Sequence, residues 1–305
     1  MGMSGGMYGP ADEAESIATL HAALERGVTL IDTGDFYDTG KNELLVGKAL
    51  QGKRDQALLS VKFGALRGPD GSWIGYDARP VAVKNALAHT LTRLGVDHID
   101  IYRPARLDPN VPIEDTIGAI AELVRAGYVR HIGLSEVGPE TVRRAHAVHP
   151  IVDVQHEYSL VSRGLETKLL PVLRELGISV TAYGVLSRGL LSGSRPKGPG
   201  DFRAYLPRFT GESAAQNEAI VATIEQIAAR KNVTPAQLAV AWVLGQGDDV
   251  VPVIGARTRK QLDDSFRWPA VTLTTEEKRA LESAAAGVVG TRYAAQQMAM
   301  LDSER

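Results

Sequence analysis

The stretch VTLIDTGDFYDTGKNELLVGKALQGKRDQALLSVK, residues 28–62, carries the pattern that decides the fold. An apolar, β-branched run at 28–31 closes on Asp32. A Gly- and Asp-rich loop with Tyr37 follows, then a segment at 43–50 whose apolar residues recur every three or four positions. A second apolar run, 57–61, closes on Lys62. Neither run alternates polar with apolar residues, as strands buried on both faces do not, and such strands are typically parallel. The unit reads strand, helix, parallel strand.

The same unit recurs outward along the chain. Further strand-like runs lie at 98–102, 129–134, 151–154, 178–182 and 250–254. Helix-period segments lie at 14–26, 80–94, 113–126, 139–147, 165–176, 214–230 with 235–244, 259–266 and 275–285. Alternation of this kind over 1–305, with no Pro/Ser-rich linker, predicts one α/β domain. An open doubly wound sheet and a closed (β/α)8 TIM barrel are the two candidates. No Gly-x-Gly-x-x-Gly follows any strand, so the dinucleotide fingerprint of the open sheet is missing. Polar residues gather where strands end, at Asp32, Lys62, Arg103, Ser135, Gln155, Tyr183 and Arg257. In a barrel those ends open onto one mouth, where active sites are built. The barrel is favoured, although seven strands are legible rather than eight and the chain starts almost at its first helix.

Composition removes several function classes. Lys plus Arg (34) against Asp plus Glu (36) gives a net charge of −2, so no nucleic-acid partner is expected. With no cysteine there is no disulfide scaffold, thiolate nucleophile or Cys-bound zinc. No apolar run approaches a membrane span and the N-terminus lacks a basic, apolar leader, so no membrane partner and a cytoplasmic location are expected. His146 and His149 stand three apart without a third ligand at a recognisable spacing, and no metal site is expected. Gly133-Leu-Ser135-Glu-Val137 misses a nucleophile elbow by its last glycine.

Lys62 inside an apolar strand is costly unless paired, and Asp32 on the neighbouring strand is the natural partner. A phenol beside an ammonium has a lowered pKa and becomes a usable proton donor, which points to Tyr37. A plain buried ion pair with a loop aromatic nearby explains the same residues equally well. Ser135-Glu136, Gln155 and Tyr158 supply hydrogen-bonding groups suited to holding a nucleotide, and Tyr183 a flat ring for stacking, although ordinary packing explains each of them alone. The Gly-, Pro- and Arg-rich segment at 187–211 reads as a lid or a surface loop, and Arg257 as a phosphate grip.

These residues resemble the aldo-keto reductase superfamily along the whole chain. The similarity is carried by 27–37 with Asn42-Glu43, by Ser60-Val-Lys62-Phe, by DHIDIYRPARLDP (97–109), by 130–136 and by VQHEYSL (154–160). It continues in AYGVLSRGLLSG (182–193) and PVIGARTRKQLDDS (252–265). The resemblance implies a barrel that binds NADPH without a Rossmann motif and reduces a small-molecule carbonyl substrate. It implies Tyr37 as general acid, with Asp32 and Lys62 as the pair that tunes it. It implies Ser135, Gln155 and Tyr183 at the nicotinamide, and Leu186, Arg188 and Leu190 in the loop over the pyrophosphate. Arg257, Gln261 and Asp264 fall at positions near the 2′-phosphate and adenine.

Departures from the pattern are Ala105 where the family usually has a catalytic histidine, Ser265 for asparagine, Asp264 for glutamate, and Gly184-Val185 for Ser-Pro. The Arg103-Pro-Ala-Arg106 variant is similar to that of reductases resembling pyridoxal reductase. Arg103, Arg106 or an ordered water is the candidate to stand in for the histidine. An NADPH-dependent reductase of aldehydes or ketones is the leading expectation. An NADPH-binding regulatory or sensor protein with little turnover is the rival, and the missing histidine favours it. The family's usual hairpin and first strand precede the Gly-Met-Ser-Gly-Gly segment, so a longer chain with about twenty more N-terminal residues is expected to be the active form, each strand of a closed barrel pairing with two neighbours.

Overall fold

The computed structural model describes residues 2–5, 11–196, 198, 201–266 and 271–304. Gly6 and three positions of the 187–211 segment (197, 199 and 200) lie outside them. Two compact units are present, one from Met1–Gln155 with Gly255–Arg259, the other from His156–Ile254 with Lys260–Arg305.

In the first unit, strands β1 (Leu30–Gly34), β2 (Leu58–Phe63), β5 (Ile99–Pro104), β6 (Val129–Ser135) and β7 (Ile151–Glu157, whose last two residues belong to the second unit) pair in that order, all parallel. Helices α1 (Glu13–Glu25), α2 (Lys41–Ala49), α3 (Pro80–Leu94), α4 (Ile113–Arg125) and α5 (Pro139–Val148) alternate with them. β2 shows why no polar alternation was visible: Leu59, Val61 and Phe63 on one side and Ser60 and Lys62 on the other are all buried. An antiparallel hairpin, β3 (Ala65–Arg67) with β4 (Trp73–Tyr76), interrupts the alternation. Trp73 and Ile74 are exposed, so the hairpin buries no face that would print a period.

The second unit holds β8 (Ser179–Tyr183) paired parallel with β9 (Val250–Pro252). Its helices are α6 (Leu165–Glu175), α7 (Gly211–Arg230), α8 (Pro235–Leu244), α9 (Arg259–Phe266), α10 (Thr275–Ala285) and a short α11 (Ala295–Ala299). Seven parallel strands thus appear among the described residues, at the seven places read from sequence.

Local chemistry sets the helix ends. Asp12 caps α1 by accepting from the Glu15 N–H at 2.7 Å. Pro80 opens α3, and Gly95 closes it in the left-handed region at φ 65°. Thr234 with Gln237 and Thr274 with Glu277 form capping boxes on α8 and α10. Near the chain start, Met3 N–H donates to Asn42 Oδ1 (2.7 Å), and Asn42 Nδ2 donates to Thr33 Oγ1 in β1 (2.8 Å).

Most strands run two or three residues beyond the apolar runs. The polar strand-end residues remain in the ladder: Gly34 is in register with Lys62, Lys62 with Arg103, and Ser135 with Gln155. Backbone pairing does not depend on the side chain, so a strand continues past the end of its apolar run.

α2 crosses α3 at Gly47. A Cβ there would sit 2.6 Å from the Leu94 carbonyl oxygen, which is backbone and cannot swing aside. Gly47→Ala is therefore expected to destabilise the protein by about 1–3 kcal/mol through overpacking. Urea unfolding measures it, and an unchanged midpoint would contradict the close approach.

Candidate active site

At the C-terminal ends of β1 and β2 the Asp32 carboxylate meets the Lys62 ammonium, both side chains about 95 % buried. Burial pushes the Asp32 carboxyl up, but the Lys62 charge and then that of Arg103 pull it down, to about 2 in the balance. For Lys62 burial is the largest influence and lowers its pKa, with Asp32 opposing and the charges of Arg103 and Arg106 adding to the lowering. Asp32 Oδ2 accepts two more hydrogen bonds, from Ser60 Oγ (2.9 Å) and Gln155 Nε2 (2.8 Å). The Lys62 Nζ stands 5.2 Å from the centroid of the Tyr37 ring.

Tyr37 opens a short 3₁₀ turn, Tyr37–Gly40, in which Asp38 and Thr39 both lie in the left-handed region (φ 49° and 52°). Two non-glycine residues in that region cost energy, and such strain concentrates at working sites. The turn is anchored to β2 and the residue after it by Asp35, two positions before Tyr37. Asp35 N–H donates to the Lys62 carbonyl (3.0 Å), and Asp35 Oδ2 accepts from Gly64 N–H (3.2 Å).

Arg103 was a candidate replacement for the absent histidine, and its geometry speaks against that role. Its side chain is fully buried, donating to Asp153 Oδ2 (2.8 Å) and to Ser60 Oγ (2.9 Å). Ser60 in turn holds Asp32, so Arg103 supports the ion pair from below. Gly133 makes this possible, because a Cβ there would lie 2.5 Å from Asp153 Oδ1 and 3.1 Å from the Arg103 guanidinium carbon. Arg106 is half-buried and donates to the Ala105 carbonyl (2.6 Å) and to Ser135 Oγ (3.3 Å). Ala105 itself is 2 % exposed, and its methyl group can neither donate nor accept a hydrogen bond.

The first unit therefore brings together Asp32, Tyr37, Lys62, Ser135 and Gln155. Arg257, also in this unit, is half-buried just before α9. In the second unit Tyr183 ends β8 as a half-buried ring, followed by the turn Ser187–Ser192. Leu186 is half-buried and Leu190 buried. The Arg188 side chain donates to Glu157 at 2.8 Å, and its backbone carbonyl accepts from Arg203 Nη1 at 2.9 Å. Gln261 is exposed on α9, and Asp264 pairs with Lys260 at 2.8 Å.

Sequence reading missed the roles of Ser60, Asp153 and Asp35. A period-two argument finds two of them, since Ser60 shares a strand face with Lys62, and Asp153 with Gln155. Among the described residues, no group of three or more His, Asp or Glu is placed to hold a metal, and no helix is long and apolar enough to cross a membrane.

Within the first unit a hydroxyl and an amide (Ser135, Gln155) have the hydrogen-bonding chemistry to match a carboxamide; within the second, the Tyr183 ring has the flat face that stacks on a heterocycle. Ser187, Arg188 and Gly189 have successive positive φ (45°, 55° and 98°), and the turn closes on itself, the Ser187 N–H donating to the Gly184 carbonyl (2.6 Å) and the Gly189 N–H to that of Leu186 (2.9 Å).

A buried Lys–Asp pair on two neighbouring parallel strands, with a tyrosine in the turn after the first of them, in a fold of the (β/α)-barrel type, defines the class. The model of the aldo/keto reductase family matches residues 1–286, and the chain belongs to that family. A probable aldo-keto reductase 1 from Glycine max is 41 % identical over 302 residues, covering 96 % of this chain and 86 % of the relative. Among solved structures, the glycerol dehydrogenase AKR11B4 from Gluconobacter oxydans superposes with a TM-score of 0.86 at 30 % identity, covering 95 % of this chain and 90 % of that one. An aldo/keto reductase from Klebsiella pneumoniae, in complex with NADP and acetate, does so with a TM-score of 0.72 at 25 % identity, covering 92 % and 89 %.

Asp35 generates a pH prediction. Burial raises its carboxyl to about 7, helped by Glu43 and opposed by the Gly64 N–H and Arg93. The folded value lies above the unfolded one, so the protonated form fits the fold and stability falls as pH rises between them, by roughly 1.4 kcal/mol per pH unit at most. Asn keeps an acceptor for Gly64 without the charge. Asp35→Asn should raise the thermal midpoint more at pH 8 than at pH 5, and an equal shift at both would refute the assignment.

Proposed function

We propose that the protein reduces an aldehyde or ketone to the alcohol with NADPH, Tyr37 donating the proton. The observation that carries this reading is the buried Lys62–Asp32 pair set against the Tyr37 ring. Ser135, Gln155 and Tyr183 would hold the nicotinamide of NADPH, whose chemistry there would be hydride donation to the carbonyl carbon. Tyr37 gives its phenolic proton to the carbonyl oxygen, and the Lys62 ammonium stabilises the phenolate that remains. Asp32 keeps Lys62 charged in a dry setting, and Ser60 and Gln155 keep Asp32 in place. Arg106 is the cation we assign to polarising the carbonyl in the absence of the histidine. Arg257, with its planar fork, is assigned to the 2′-phosphate that distinguishes NADPH from NADH. Without an imidazole donor, activated aldehydes are the favoured substrates over plain ketones.

Ala105 also supports a second reading, an NADPH-binding sensor with little turnover. Multiple-turnover NADPH oxidation with an activated aldehyde separates the two. In Tyr37→Phe the ring stays and the proton donor goes, so turnover should fall by ~10²–10⁴ while NADPH binding persists. Near-normal turnover in that variant removes the phenol from the mechanism, and binding without any turnover in the parent supports the sensor.

A further inference from the structure

The second unit contains a buried charged cluster that the reaction does not use. Glu157, at the end of β7, is fully buried and accepts from Arg188 (2.8 Å) and Ser162 Oγ (2.9 Å). Arg208 and Arg292 stand 3.6 and 3.8 Å from its oxygens. Burial raises the Glu157 carboxyl, but Arg188, Arg292 and Arg208 outweigh it and hold the value below the ordinary range, so the group is ionised.

One carboxylate does not neutralise three guanidiniums, and the others find their own partners. Arg208 donates to the Val161 carbonyl (2.8 Å) and the Gly290 carbonyl (3.2 Å). Arg292 pairs with Glu304 at 2.6 Å. Arg188 lies over the face of Tyr293, 4.4 Å from the ring centroid, and Arg292 lies 5.6 Å from the same centroid. Two cations near one ring hold it by its negative face. The Tyr293 hydroxyl is thereby fixed, and it meets the Tyr183 hydroxyl at 3.0 Å, with Arg292 Nη1 3.4 Å from the same oxygen.

We propose that Tyr293 and Arg292 are positioning residues, by which the segment after α10 sets the angle of the Tyr183 ring for the nicotinamide. This rests on the reading of Tyr183 as the stacking ring. A tyrosine ring on a strand end still turns about two side-chain bonds, and its hydroxyl is the one polar point by which neighbours can stop it. With the hydroxyl held, the face is presented without an ordering cost at the moment of binding. By linkage, a cofactor on Tyr183 and a docked Tyr293 stabilise each other.

A double-mutant cycle tests this by fluorescence titration of NADPH against the parent, Tyr183→Phe, Tyr293→Phe and the double variant. Thermal midpoints of the four cofactor-free proteins are read alongside. Tyr293→Phe should weaken NADPH binding about three- to tenfold, the range that one net hydrogen bond supplies. The same change on the Tyr183→Phe background should cost less than about twofold, because its partner is already gone. Glu304→Gln, which loosens Arg292 from outside the ring pair, should weaken binding in the same direction. A lower midpoint for Tyr293→Phe with unchanged affinity makes the residue structural only and overturns the proposal, as do equal effects on both backgrounds. A parent that binds no NADPH overturns the functional reading and this proposal together, whereas tight parent binding with additive variants overturns this proposal alone.

Discussion

A lysine ammonium held away from water in the first unit is the constraint that organises its polar interior. Lys62 is 3 % exposed, and an unpaired ion there would be driven to give up its proton. Asp32 prevents this, and removing either partner would leave the other charge buried at a cost of about 3–5 kcal/mol. Buried ion pairs rarely add net stability over apolar packing. Their presence at strand ends beside a strained tyrosine turn therefore points to chemistry rather than to holding the fold.

Support for the pair descends through the sheet. Gln155 and Ser60 satisfy Asp32, Arg103 satisfies Ser60, Asp153 satisfies Arg103, and Gly133 clears the space. Each link lies on a strand, where the ladder fixes the register and side-chain direction follows from it. The second unit uses the same device in another form, with Glu157 gathering arginines from the turn after β8, from the segment before α7 and from the C-terminal segment. In both places a fixed charge orients an aromatic ring, Tyr37 in one and Tyr293 in the other.

The alternation of strands and helices was legible because burial on both strand faces and on one helix face imposes periods on the sequence. Asp32, Lys62 and Tyr37 were legible for a different reason: a charge interrupting an apolar run is conspicuous. Arg103 was seen but misassigned, since sequence shows that an arginine ends β5 and not that Asp153 lies across from it. The hairpin at 65–76 escaped because it buries no face. Tyr293 and Glu157 escaped because their link joins residues 136 positions apart in sequence through Arg188, and no local pattern records such a meeting. Resemblance marked Arg188 as a cofactor residue, whereas its guanidinium belongs to Glu157 and Tyr293.

The central claim is that the buried Lys62–Asp32 pair and Tyr37 serve a hydride transfer to a carbonyl. Following deuterium from NADPH labelled at the transferred C4 position tests it most directly, with the alcohol from an activated aldehyde analysed by mass spectrometry and NMR. The account predicts one deuterium on the carbinol carbon for each NADPH oxidised, and loss of that product in step with loss of the Tyr37 hydroxyl. NADPH consumed with no deuterium on that carbon, or alcohol formed at the same rate without the hydroxyl, would contradict it.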